Sequence, residues 1–152
     1  MKVVLLSEDN LIIRDASVED IQSLTLLMND LGYPTHIEQM QTRFNKINSH
    51  PDYKTIVAEL NGEVVGMAGL CKGIFYEMDG LYMRILAFVV KESCRKMGIG
   101  KKMILAAEDW AIEQALHTIL INSGNRIERQ ASHLFYEQMG YSVKSSGFVK
   151  KL

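Results

Sequence analysis

The chain has 152 residues, 47% of them hydrophobic and 23% charged, and 17 Lys plus Arg against 18 Asp plus Glu leave a net charge of -1. That composition can offset the entropy of ordering one ordinary domain, and with two prolines and two cysteines it excludes disorder, collagen-like repeats and disulfide-dense miniproteins. The near-neutral total argues against a nucleic acid or a membrane surface as the main partner, because either normally calls for excess positive charge.

The N-terminus, Met1 Lys2 Val3 Val4 Leu5 Leu6, starts like a secretory signal but breaks at Ser7 Glu8 Asp9. No later stretch approaches the roughly 20 apolar residues that span a bilayer. Cys71 and Cys94 stand far apart with no second cysteine near either, so neither a zinc cluster nor a disulfide framework is indicated. These features predict a soluble, cytoplasmic protein without a metal site, forming a single domain over residues 1–152.

Residues 11–15 open the pattern with a short β-rich run. Ser17 and Asp20 resemble a helix N-cap with an acidic first turn, and Ile21, Leu24, Met28 and Leu31 follow at helical spacing. Gly32 Tyr33 Pro34 ends that helix, and Thr35 with Glu38 offers a capping box for a second, polar helix that reaches the 48–52 loop. Residues 55–60 and 64–70 flank Asn61 Gly62, a hairpin signal because Asn-Gly supplies the positive φ of such turns. Residues 81–90 form a third strand, and its end, Leu86 Ala87 Phe88 Val89 Val90, is continuously apolar, which predicts burial on both faces. After a basic segment, Met103, Ala107, Trp110 and Ala111 mark one helical face. Residues 118–122 read as a strand, 128–139 as a helix, and 141–143 with 147–149 as a closing pair of strands. The sum is an α/β domain with a central mixed sheet.

The most informative stretch joins the third strand to the helix that follows it. Here Arg95 Lys96 Met97 Gly98 Ile99 Gly100 Lys101 lies between a buried strand and a helix N-terminus. Unpaired amides and the helix dipole favour an anion at such a junction, and two glycines let the backbone approach it closely. Arg95, Lys96, Lys101 and Lys102 add local positive charge that the neutral total conceals. A P-loop would place glycine at Arg95 and Ser or Thr at Lys102, so that scaffold does not fit. A dinucleotide fingerprint would place a third glycine at Met103 and an acid near residues 120–122, and neither is there. The two readings left are the Arg-x-x-Gly-x-Gly pyrophosphate loop of acetyl-coenzyme A binders and a plain tight turn with solvated lysines.

With a second segment, Ser132 His133 Leu134 Phe135 Tyr136 Glu137 Gln138 Met139 Gly140 Tyr141, the chain resembles the GNAT-family N-acetyltransferases over nearly its whole length. The ending Gly147 Phe148 Val149 Lys150 Lys151 Leu152 is also similar to that of the family's bacterial members. The resemblance implies a mixed central sheet with splayed central strands, flanked by about four helices. It implies transfer of the acetyl group of acetyl-CoA, as co-substrate and with no metal, directly to a primary amine in a ternary complex. Backbone groups of Phe88, Val89 and Val90 would pair with the pantetheine arm, and amides of Arg95, Lys96, Met97, Gly98, Ile99, Gly100 and Lys101 would hold the pyrophosphate. A strand amide near Val89 would polarise the thioester carbonyl. Tyr136 matches the family's general acid, a phenol that keeps its proton at neutral pH and delivers it to the leaving thiolate.

One position departs from the family pattern. Many members place asparagine three residues before the small residue of the last helix, Ser132 here, and this chain has Arg129 there. Asn122 or Asn125 is then the candidate for the pantetheine contact, beside Ser132, and the alternative is that Arg129 reaches a coenzyme phosphate. The base that takes the amine proton is open among Glu77, Asp79, Tyr82, Arg84, His133 and a water chain. The acceptor, a small molecule or a protein amine, would be read by the 31–34 loop, the 75–79 stretch and the strand after it, whose aromatic and acidic residues suit a cationic amine with an apolar body. An alternative from another class is a non-catalytic acetyl-CoA-binding sensor or interaction module on the same fold. A third is a binder of nucleotide phosphates. Exposed edge strands near the C-terminus would suit a homodimer.

Overall fold

In a computed structural model, which describes residues 10–123 and 130–152, the chain forms two compact units, one ending at Leu120 and one running from Ile121 to Leu152. The first unit begins with β1 (Leu11–Asp15), a single 3-10 turn (Val18–Asp20), α1 (Ile21–Leu31) and α2 (Ile37–Asn48). Next come β2 (Tyr53–Leu60), β3 (Glu63–Ile74), β4 (Leu81–Val90), a second 3-10 turn (Glu92–Cys94), α3 (Ile99–Glu113) and β5 (Ile119–Ile121). The last residue of β5 belongs to the second unit, which also holds α4 (Gln130–Gln138). The strands lie in the order β1-β2-β3-β4-β5 in one open mixed sheet. β1 to β4 form an antiparallel meander, and α3 carries the chain over to β5.

Local signals account for most of these elements. Ser17 N donates to Asp20 Oδ2 at 2.8 Å, and both Asp20 oxygens accept from Arg14 at 2.9 Å. This bidentate pair joins the end of β1 to the start of α1, and Arg14 Nε also reaches Glu59 Oε1 on β2 at 3.0 Å. The Arg14 guanidinium holds the buried Asp20 carboxyl below the usual carboxylate range. Gly32, at φ 103°, ends α1 with two bonds, Gly32 N to Asn29 O at 3.1 Å and Tyr33 N to Met28 O at 2.9 Å. Asn61 (φ 53°) and Gly62 (φ 83°) make the two-residue β2–β3 turn predicted from the Asn-Gly pair. At α2 the cap is His36 rather than Thr35, whose hydroxyl bonds the Gln39 side chain at 3.0 Å instead.

Helices cover both faces of the sheet. Leu24, Leu27, Met28, Met40 and Phe44 of α1 and α2 pack with Val57, Met67 and Val89 on one face. α3 takes the other, where a Cβ on Gly66 would sit 2.8 Å from Met103 Sδ and 3.5 Å from the Ala58 Cβ. Leu24, Phe44 and Met103 are at most 1% exposed, and each such side chain contributes about 1.5–3 kcal/mol.

The register shows why the apolar run 86–90 differs from a simple two-faced strand. Gly69 pairs with Ala87 but Leu70 pairs with Ile85, so Leu86 is an extra residue on β4. This bulge reverses which side the odd-numbered residues face. Ile85 and Met83 share the α3 face with Leu70 and Lys72, and the Lys72 ammonium lies 5.9 Å from the Trp110 ring centroid of α3. Ala87 and Val89 share the α1 face with Met67. Leu86 is therefore 49% exposed despite its apolar neighbours.

The predicted closing strands at 141–143 and 147–149 do not form. Residues 141–152 carry no regular structure, and Val143, Phe148 and Val149 are at least 81% exposed. Strand propensity yields a strand only when the backbone finds a partner ladder. Among the described residues no helix is long and apolar enough to cross a membrane.

Candidate active site

The end of β4 and the turn after it form one contiguous feature of the first unit. Lys91 N donates to Val65 O at 2.7 Å, and the Lys91 ammonium lies 2.6 Å from Glu63 Oε2, which pushes its pKa above the ordinary lysine value. After the 3-10 turn, Arg95 folds back and donates from Nε to Val90 O at 3.0 Å, closing the turn on the strand it left. Lys96 is held at φ 66° and Gly98 at φ 82°. Glycine adopts that region freely, whereas a lysine there carries about 1 kcal/mol or more of strain. A Cβ on Gly98 would meet nothing within 4 Å, so the turn is open at this point.

Ile99 anchors the start of α3, with its side chain buried at 2% exposure. Lys102 N donates to Gly98 O at 3.2 Å as the first bond within the helix. The amides of Ile99, Gly100 and Lys101 precede it and have no helical carbonyl to meet. Arg95, Lys96, Lys101 and Lys102 are exposed around the same turn, and among the described residues none of them forms an ion pair. A positive helix pole, amides without helical acceptors and four exposed cations are features that favour an anion.

Phe88, Val89 and Val90 lead directly into this turn. Val89 contributes its side chain to the core, at 5% exposure, so only its backbone is available to a ligand. On the outer edge of β4, Met83 N donates to Thr118 O at 2.9 Å, and β5 has three residues against ten in β4. Among the described residues, regular pairing on that edge therefore covers a short stretch of β4.

In the second unit, the segment Phe135 Tyr136 to Gly140 Tyr141 is a helix and its stop. Gly140, at φ 95°, donates from N to Glu137 O at 3.0 Å, and Tyr141 N donates to Tyr136 O at 3.0 Å. The stop brings the Tyr141 ring to 6.4 Å from that of Tyr136, and Phe135 packs 5.6 Å from it. Glycine and aromatic at those two places thus orient the phenol from its own helix end. Ser132 and Tyr136 are half-buried, together with His133, Phe135 and Met139, while Ala131 and Leu134 are exposed. His133 Nε2 lies 3.1 Å from Ser123 Oγ. Asn125 and Arg129 lie outside the described residues.

The remaining candidates separate into two groups. Glu77 and Asp79 are exposed in the turn between β3 and β4. Tyr82 and Arg84 lie half-buried on β4, where the Tyr82 ring sits 5.0 Å from that of Phe75 and the Arg84 guanidinium 5.5 Å from the Tyr82 ring. Sequence reasoning missed the Leu86 bulge and the strained Lys96, because neither residue type signals its backbone conformation. Among the described residues no group of three or more metal-ligating side chains occurs.

The family model for the acetyltransferase (GNAT) family matches residues 20–141. A GNAT family acetyltransferase of Staphylococcus aureus has a crystal structure similar to this chain, at 35% identity over 94% of this chain and 99% of that one, with a TM-score of 0.80. An aminoalkylphosphonate N-acetyltransferase of Salmonella typhimurium is 29% identical over 92% of this chain and 90% of the relative. An aminoglycoside N-acetyltransferase solved with coenzyme A shares the fold, at 14% identity and a TM-score of 0.81, over 93% of this chain and 94% of that one. The chain belongs to the GNAT acetyltransferase family.

Proposed function

We propose that residues 1–152 act as one domain that transfers the acetyl group of acetyl-CoA to a primary amine, directly and within a ternary complex. The observation that carries this reading is the open turn at 95–101, with Lys96 at φ 66°, Gly98 at φ 82°, and four exposed cations at the head of α3. The names of the relatives, N-acetyltransferases among them, and the coenzyme A bound to a protein of the same fold support it.

Amides of Arg95, Lys96, Met97, Gly98, Ile99, Gly100 and Lys101 hold the pyrophosphate in this reading, with the basic side chains neutralising it. Backbone groups of Phe88, Val89 and Val90 pair with the pantetheine as a strand would, beyond the short β5 ladder. The strand amide near Val89 donates to the thioester oxygen, and one such donor is worth about 3 kcal/mol in the transition state. The amine nitrogen forms a bond to the carbonyl carbon while the carbon–sulfur bond breaks. Tyr136 gives its proton to the departing sulfur, and the amine proton leaves to water or a nearby base. Ser132 contacts the cofactor arm in this reading. The enzyme works in the cytoplasm, with neither a nucleic acid nor a membrane as partner.

The test is acetyl-CoA binding by calorimetry, followed by free-thiol release against a panel of amines. Binding with turnover of at least one amine is expected. Tight binding with no thiol release across a broad panel would replace catalysis by a sensor role on the same fold.

A further inference from the structure

The β3–β4 hairpin ends in a turn that leaves much apolar surface in solvent. Ile74 and Leu81 are its last register pair, and beyond them Phe75 N donates to Gly80 O at 3.4 Å. Phe75 is half-buried beside the Tyr82 ring, 5.0 Å away, and that ring occupies the place a Cβ on Gly73 would need. Its neighbours Ile74, Tyr76, Met78 and Leu81 are exposed, and Glu77 and Asp79 stand exposed between them. A cluster of large apolar side chains in solvent, edged by charge, marks a contact surface. The C-terminal segment has the same apolar excess and the opposite charge. Residues 142–152 contain Lys144, Lys150 and Lys151 and no acid, with Val143, Phe148, Val149 and Leu152 exposed around them. Among the described residues, this segment makes no backbone hydrogen bond. Neither its lysines nor Glu77 and Asp79 form an ion pair there.

We propose that the tip of the β3–β4 hairpin docks the C-terminal segment of a second copy of this chain, in a two-fold dimer that makes the contact twice. Lys150 and Lys151, set among Phe148, Val149 and Leu152, complement Glu77 and Asp79, set among Tyr76 and Met78, in both charge and apolarity. The charges also fix the pairing, since two tips or two segments repel while a tip and a segment attract. Two-fold symmetry then makes the contact reciprocal, each copy giving its segment and receiving its partner's. The area suffices. Tyr76 and Phe148 are at least 95% exposed, and burying about 150–250 Å² of each in both contacts removes roughly 600–1,000 Å². Ile74, Met78, Val149 and Leu152 take the sum to the roughly 1,200 Å² at which specific interfaces begin. Side chains of a turn and of a segment without regular structure thus make the dimer, in place of the edge strands expected from the sequence.

Sedimentation velocity on the full chain tests this. The wild type is expected to sediment as a dimer at about 50 µM, a concentration suited to an interface at the small end of the specific class. E77K/D79K and K150E/K151E are each expected to sediment as monomers, because tip and segment then carry the same sign. An equimolar mixture of the two should return the dimer, since a reversed tip meets a reversed segment in one contact and the native pair forms the other. A monomeric wild type overturns the inference, as does a dimer of either variant alone or a mixture that stays monomeric. A segment that folded back on its own hairpin would give monomers throughout. Should a charge-reversed variant fail to fold by circular dichroism, Y76S and F148S take its place. Each is expected to raise the dimer dissociation constant at least about tenfold, and an unchanged constant overturns the inference.

Discussion

At the scale of single residues, Tyr136 and Asp20 make opposite kinds of prediction. Tyr136 is half-buried and held by its own helix stop, so removal of its hydroxyl should leave packing intact. Tyr136→Phe is expected to lower kcat by about 10²-fold or more, the usual loss of a general acid, with near-normal acetyl-CoA binding. A fully active variant in steady-state assays would assign that proton to water. Asp20 concerns stability instead. Its carboxyl is held below the usual range by Arg14, so its contribution is fully present above the ordinary carboxylate pKa and is lost as pH falls through the lowered folded value. Urea denaturation from pH 2 to 6 should therefore show a steeper acid limb for the wild type than for Asp20→Asn. At pH 7 the variant should be less stable by about 2 kcal/mol, as expected for charge-assisted bonds lost at a buried site.

At the scale of elements, helix ends decide much of the architecture. Three helices stop with the same pair of backbone bonds, around Gly32, Gly140 and Ala115. Ala115 sits at φ 58°, with Leu116 N donating to Ala111 O at 2.8 Å, and an alanine there is strained. Ala115→Gly is expected to raise stability by about 1 kcal/mol in chemical denaturation, despite the added freedom of the unfolded chain. An unchanged midpoint would mean that the left-handed turn costs little here. At the other end of α3, Gly98→Glu adds bulk, negative charge and an unfavourable φ to the open anion seat. Calorimetry should find acetyl-CoA binding abolished, and retained affinity would refute the assignment of this turn. The elements themselves were largely readable in advance. β1 and β4 fall on the predicted residues, since turn signals bracket both. The pair at 141–143 and 147–149 was misread, because its alternation promised strands and the described chain gives them no ladder.

At the scale of the whole molecule, a ligand that binds only the folded chain must stabilise it. Acetyl-CoA at a hundredfold excess over its Kd should add about 2.7 kcal/mol, which raises Tm by about 5–10 °C for a chain of this size. A thermal-shift series with acetyl-CoA, coenzyme A and ATP reads this directly. Greater protection by ATP would point to a nucleotide-phosphate site and away from acetyl transfer.

The candidate site was legible wherever chemistry follows from residue type and spacing. Two glycines among four cations after an apolar strand define an anion seat in one dimension, because strand, turn and helix N-terminus are local structures. The Phe135–Tyr136 to Gly140–Tyr141 signature is local in the same sense, a helix and its stop. What the sequence by itself determined is thus the family and the order of the elements up to the last helix. Only the tertiary structure decided which face each residue serves. The bulge at Leu86 depends on how β4 registers against β3 around Gly69, a contact between residues distant in sequence. Strand periodicity cannot reveal it, since one extra residue reverses every side chain beyond it. That reversal puts Ala87 and Val89 on the face that Arg84 and Tyr82 share, so an apolar run and a polar pair line one side of the sheet.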